Sequence, residues 1–225
     1  MSHVLLLRLA GPMQAWGTQS RFEYRHSERE PAKSGVIGLL ACSLGRGRDE
    51  SLDDLASLRF GIREDRPGIM MCDFHTVQNV LQADLKDTKD TIVSRRYYLA
   101  DAAFLVGLEG SDLALLTRLQ TALRDPVWPY YLGRKSFVPG LPVYLPDGLR
   151  ENLTLEQALR EYPWLDGIGR QEGTQQLRVL MDDSNGDEVM KMDHPVSFEI
   201  LKRKYWPRYM REEWVDRPPR REPCI

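Results

Sequence analysis

The chain has 225 residues, with 31 Lys and Arg against 33 Asp and Glu, a formal net charge of −2, and 42% hydrophobic and 28% charged side chains. These values describe a globular chain long enough to bury a core of its own, and they exclude collagen-like, disordered and membrane-spanning classes. Three cysteines, Cys42, Cys72 and Cys224, with no C-x-x-C, argue against a disulfide framework or a zinc site and point to a reducing, cytoplasmic setting.

In chain order, His3 to Ala10 predicts a buried strand running into the turn residues Gly11 and Pro12. No basic stretch precedes a small-residue cleavage site, so this segment reads as a strand and not as a leader. Residues 13–34 are irregular and carry Trp16, Phe22 and Tyr24. Ser34 as N-cap and Gly45 just past the end bound a helix over 36–44, with Gly35 and Gly38 in its first turns. This apolar stretch, from Gly35 to Gly45, falls short of the roughly 20 residues needed to cross a bilayer. A short helix or turn at 51–58 and a strand at 59–64 follow.

Residues 69–77 and 96–109 read as strands, and the polar segment 78–94 between them as a protruding hairpin or loop. Leu113, Leu116, Leu119 and Leu123 recur at helical spacing behind Ser111 and Asp112, which cap them. Prolines and glycines punctuate 126–142, and a strand resumes at 143–145. Further on, 154–162 predicts a helix, and 176–181 and 196–202 predict strands. The order strand, helix, strand, strand, helix, strand over 3–145 is that of a ferredoxin-like (RRM-like) unit in an α+β fold. Residues 1–146 are therefore expected to form that domain, with a thumb hairpin at about 73–100, and 147–225 a small β-rich C-terminal subdomain with a basic tail.

Charge is unevenly placed. Residues 147–188 hold 4 basic and 10 acidic side chains, whereas 189–225 hold 9 basic and 6 acidic. An anionic partner would therefore meet the first part of the chain or the tail.

No motif for an enzyme or a cofactor is complete. Lys33-Ser34-Gly35 and Gly133-Arg134-Lys135-Ser136 lack P-loop spacing. Each reads either as an ordinary cap or loop, or as a glycine-bearing site whose backbone N–H groups and cations meet phosphate. The four histidines are scattered, and the oxygen-rich run at 182–187 lacks calcium-loop spacing, so it reads as a turn and no metal is expected. His75, near Tyr97 or Tyr98, would have the parts for metal-free RNA cleavage, or would serve as a structural or ligand-contact histidine. Arg95-Arg96-Tyr97-Tyr98, the run from Trp128 to Lys135, and the tail from Lys202 to Arg211 interleave cations with aromatics. Single-stranded RNA is bound by that combination, though an aromatic core edge with solvated arginines has the same composition.

The stretch Leu7-Arg8-Leu9-Ala10-Gly11-Pro12-Met13-Gln14-Ala15-Trp16-Gly17 resembles the N-terminus of the CasD family, the five-prime-handle-binding subunits of type I-E CRISPR Cascade complexes. Ser34-Gly35-Val36-Ile37-Gly38 is similar to that family's glycine-containing first helix, and Phe74-His75-Thr76-Val77 to the opening of its thumb. Tyr98 to Phe104 resembles the return strand, and Pro129 to Ser136 the glycine-rich loop. The likeness covers about 7–136. It implies a subunit without turnover that holds the five-prime handle of a CRISPR RNA and caps the backbone of the complex. The implied neighbours are CasC and the large subunit CasA, with target DNA met only through the complex and no membrane. Position by position, the resemblance implies RNA contacts at Gln14, Trp16, Lys33, Ser34, Gly35, His75, Arg95, Arg96, Tyr98, Tyr131, Gly133, Arg134 and Lys135, with no catalytic residue and no cofactor. Relatives in another CRISPR subtype process the precursor RNA, so a metal-independent endoribonuclease built on His75, Tyr98 and Lys33 stands as the alternative.

Overall fold

A computed structural model describes residues 1–18, 23–82, 86–165, 175–183 and 189–219. In chain order the elements are β1 (His3–Ala10), β2 (Met13–Gln14), β3 (Tyr24–Arg25), α1 (Lys33–Ser43), α2 (Asp53–Ala56), β4 (Arg59–Arg66), β5 (Ile69–Leu81), β6 (Thr88–Ala100), β7 (Ala103–Gly110), α3 (Leu113–Arg124), β8 (Tyr144–Glu151), α4 (Leu155–Glu161), β9 (Gln176–Asp182), β10 (Val189–Ser197) and β11 (Lys204–Asp216). This is the expected α+β class.

Seven strands form one sheet in the order β10-β11-β9-β4-β7-β1-β8. Its β8-β1-β7-β4 portion is antiparallel at every pairing. With α1 between β1 and β4 and α3 between β7 and β8, it has the β-α-β-β-α-β connectivity. The long β5–β6 hairpin is inserted between β4 and β7 and pairs from Ile69 with Ala100 out to Leu81 with Thr88.

Side chains alternate across a strand, and β1 is apolar on both faces because both are covered. Leu5, Leu7 and Leu9 meet α1 and α3 in one core; Val4 and Leu6 meet α4 in a second. Helix α4 sits close because Gly61 and Gly107, paired across β4 and β7, carry no side chain beneath it. A Cβ on Gly61 would lie 2.8 Å from a Leu159 methyl. The buried Arg63 then closes the end of α4, donating to the Leu159 and Tyr162 carbonyls at 2.6 Å while paired with Asp65.

Several boundaries differ from the sequence reading. The expected strand at 96–109 is two strands, broken at Asp101, which adopts φ +56. The strand expected at 196–202 is instead the end of β10 and a turn, and the tail read as basic carries the 13-residue β11. The expected boundary at 146/147 falls inside β8, and β9 pairs with β4 in the same sheet. The turn expected at 182–187, with Phe22 and Cys224, lies wholly or partly outside the described residues.

Candidate nucleic-acid interface

The site is organised by α1. Ser34 was expected to cap it, but the helix begins earlier, after Ala32, and no side chain from its own loop caps it. The acceptor comes from a distant strand: Asp193 on β10 takes the Lys33 backbone N–H at 2.7 Å. Asp193 also binds Arg208 of β11 at 2.6 and 3.0 Å, and Asp182 binds both Arg208 at 2.6 Å and the Lys33 ammonium at 3.0 Å. Burial pushes the Lys33 ammonium below its ordinary range, against the pull of Asp182. Arg208 is raised: burial opposes its charge, but the bonds to Asp193 and Asp182 outweigh it. This buried cluster ties the start of α1 to the last three strands.

Beneath α1, Trp16 is 1% exposed and packs on Gly35, where a Cβ would come within 2.9 Å of the indole. The indole donates to Gln14 at 3.2 Å, and the Gln14 amide donates to the Leu9 and Ala102 carbonyls at 3.1 and 2.8 Å. Gln14, Trp16 and Lys33 are therefore framework residues below the surface, their polar groups already engaged.

The loop after α3 lies beside α1. Ala15 donates its backbone N–H to Leu132 at 3.0 Å, and Leu132 donates to Phe137 at 2.8 Å. Gly133 sits between at φ +90, and a Cβ there would overlap the Ala15 carbonyl oxygen. Only glycine fits this close approach. A cleft of about 380 Å³ opens on one side of Gly133, floored by Gly35 and Gly38 of α1. Tyr131 and Trp128 of the loop wall it, together with Phe198, Arg203 and Tyr205 of the β10–β11 hairpin; Ser34, Arg46 and Arg48 complete its rim.

On the other side of Gly133 a second pocket, about 440 Å³, is lined by Arg25, His26, Arg96 and Arg134 at the base of the hairpin. Arg134 donates to the Tyr97 carbonyl at 2.8 Å and lies over the Phe137 ring at 5.3 Å. Burial, then the neighbouring Arg96 and Arg25 charges, lower its affinity for its proton, with Asp73 opposing. Among the described residues none of Arg25, Arg96 and Arg134 has an ion-pair partner. Three guanidinium groups faced, among the described residues, by the single nearby carboxylate of Asp73 leave an excess of positive charge that favours an incoming anion, and the planar guanidinium fork donates to phosphate oxygens.

The remaining expected residues divide. Tyr98 is half-buried and tilts against Phe137 at 5.8 Å. Arg95 is exposed, donating to the Tyr24 hydroxyl at 3.2 Å, and Lys135 is exposed on the loop. His75 lies further out on the hairpin, paired with Asp73. Its strand partner is Ser94, so Tyr98 lies about 13 Å along the strand from it at roughly 3.3 Å per residue. The structure thus brings together Ser34, Gly35, Tyr131, Gly133, Arg134 and Arg96, and leaves His75, Tyr98 and Lys33 apart. It adds Arg25, His26, Arg46, Arg48, Phe198, Arg203 and Tyr205. The interleaving of aromatics and cations in the tail was a signal for the last two, but their place beside α1 depends on strand pairing. Among the described residues, no group of three or more His, Cys, Asp or Glu could hold a metal ion, and no helix is long and apolar enough to cross a membrane.

Comparison with known proteins bears on these features. A family model described as CRISPR-associated protein (Cas_Cas5) matches residues 4–215. CRISPR system Cascade subunit CasD of Escherichia coli (strain K12) is 38% identical over 160 residues, which cover 64% of this chain and 71% of that one. Among solved structures, one described as the crystal structure of a Cas protein is 43% identical, with a TM-score of 0.79, covering 98% of this chain and all of its own. A chain of a CRISPR RNA-guided surveillance complex is 32% identical, with a TM-score of 0.76, covering 96% of this chain and 91% of its own.

Proposed function

The chain belongs to the CRISPR-associated Cas5 family, and on that premise we propose that it is the CRISPR RNA-binding subunit of a Cascade surveillance complex, gripping the repeat-derived five-prime handle. The observation that carries this reading is the pair of pockets astride Gly133. One is glycine-floored and aromatic-walled, the other is lined by arginines that have no ion-pair partner among the described residues. A single strand crossing Gly133 would stack bases on the aromatic side and set phosphates against Arg25, Arg96 and Arg134 on the other.

In this reading Gln14, Trp16 and Lys33 act from beneath, holding the loop and α1, while Ser34, Gly35, Tyr131, Gly133, Arg134, Lys135 and Arg96 face the RNA. The exposed β5–β6 hairpin, carrying His75 and Arg95, lies over the guide beyond the handle. The chain would cap the backbone next to CasC, touch CasA, and meet target DNA only through the assembled complex in the cytoplasm. The role is non-catalytic. The separation of His75 from Tyr98 and the engagement of the Lys33 ammonium with Asp182 support binding over cleavage.

The test mixes the full chain and its co-expressed complex partners with labelled repeat RNA in EDTA, and runs native and denaturing gels on one sample. The expected result is intact RNA in a retarded band, competed by the five-prime segment and not by a scrambled one. A discrete cleavage product abolished by His75→Ala would overturn the non-catalytic reading.

A further inference from the structure

We propose that the β10–β11 hairpin is a nucleotide-recognition wall: Phe198 and Tyr205 stack one unpaired RNA base, and Arg203 holds its phosphate. This rests on the RNA-binding reading above and assigns β10 and β11 a place in it.

Four observations converge on that wall. The cleft of about 380 Å³ falls at the small end of the range of about 300–1,000 Å³ typical of small-molecule sites, which suits one nucleotide rather than a longer segment. Its floor is bare helix backbone at Gly35 and Gly38. A Cβ on Gly38 would touch the edge of the Phe198 ring at 3.6 Å, so the ring is seated against the helix at this glycine and borders the cleft. Phe198 and Tyr205 lie on opposite sides of the hairpin turn with ring centres 6.5 Å apart and planes tilted by 57°, and Tyr131 faces them from the loop. Within the turn, Lys202 is paired with Glu199 at 3.2 Å, whereas Arg203 is exposed and has no ion-pair partner among the described residues.

The wall is also fixed in place. Ser197 pairs with Lys204 and Pro195 with Tyr205 across the hairpin. Two residues before Pro195, Asp193 holds both Arg208 and the start of α1. The two sides of the slot, helix and hairpin, therefore share one buried anchor. A preformed aromatic slot with a cation at its mouth stacks a base without paying to order itself.

The experiment uses the full chain assembled with its complex partners, and RNAs in which 2-aminopurine replaces each base of the repeat-derived five-prime segment in turn. The wild type should bind, and one position should be strongly quenched. Tyr205→Leu and Phe198→Leu should abolish the quenching at that position alone and weaken binding about tenfold to a hundredfold. Arg203→Gln, an exposed change that leaves the core untouched, should make the dependence of log K on log salt shallower by about 0.7. Binding by the wild type with quenching, affinity and slope unchanged in all three variants would overturn the hairpin proposal and leave the RNA-binding reading standing. Absence of binding by the wild type would overturn both.

Discussion

Replacing Asp193 by alanine probes the framework beneath the cleft most sharply. Its carboxylate, 2% exposed, accepts the Lys33 backbone N–H at 2.7 Å and the Arg208 guanidinium at 2.6 and 3.0 Å. Alanine leaves a helix start without its acceptor and a buried guanidinium with one carboxylate in place of two. Removing one partner of a buried ion pair costs about 3–5 kcal/mol, and losing an N-terminal acceptor about 1 kcal/mol. Asp182 still holds Arg208 at 2.6 Å, which limits the damage. The expected loss is therefore about 3 kcal/mol, the low end of that range. In a domain of this size it corresponds to a fall in Tm of about 6–12 °C. Urea denaturation at neutral pH should show the midpoint shifted with m unchanged, since the surface exposed on unfolding is the same. Asp193→Asn should recover part of the loss, because its carbonyl oxygen can still accept the Lys33 N–H. A loss below about 1 kcal/mol for alanine, within the range of ordinary surface changes, would refute the reasoning that this carboxylate anchors both α1 and the hairpin.

Three other outcomes are expected. Hydrogen bonding by Arg59 is the main cause that lowers the Glu156 carboxyl from its ordinary 4.5 to about 2. Its contribution is fully present above pH about 4.5 and is lost as pH falls toward about 2, where the folded carboxylate finally takes its proton; Glu156→Gln should flatten the urea midpoint across that window, and an unchanged pH profile would refute the assignment. Gly133→Ala forces a Cβ against the Ala15 carbonyl at φ +90, so it should cost about 1–3 kcal/mol and weaken RNA binding together; wild-type behaviour in both would mean the loop does not approach β2 this closely. Arg96→Gln should reduce the salt slope of RNA binding by about 0.7 while affecting all RNA sequences alike, and an unchanged slope would take Arg96 out of the phosphate path.

What the sequence made legible depended on whether the cause was local. Strand β1 was readable from its apolar run, and α3 from its leucine spacing and from Asp112, which accepts the Leu115 N–H at 3.0 Å. Helix α4 was readable too, and its capping box joins Thr154 and Gln157, three residues apart. The start of α1 was misplaced because its acceptor, Asp193, lies 160 residues away in sequence. The break at Asp101 needs a left-handed backbone that aspartate tolerates and no pattern announces. Strand β11 was hidden because its basic and aromatic residues resemble a solvated tail until β9 and β10 pair with it.

The candidate site shows the same division. Tyr131, Gly133 and Arg134 lie within four residues of one another, so the sequence alone places them together. Gln14 and Trp16 were expected to contact RNA, whereas the fold makes them a buried hydrogen-bonded support and not an exposed surface. Phe198, Arg203 and Tyr205 reach the cleft only through sheet order, which composition does not encode.

The most direct test of the central claim is photo-crosslinking. RNA carrying 4-thiouridine along the five-prime segment would be irradiated within the assembled complex, and the adducts mapped by mass spectrometry. The account predicts adducts on both sides of Gly133, at Tyr131 or the β10–β11 turn and around Arg96 and Arg134. Adducts confined to the opposite edge of the sheet or to the α3 surface, with none flanking Gly133, would contradict it.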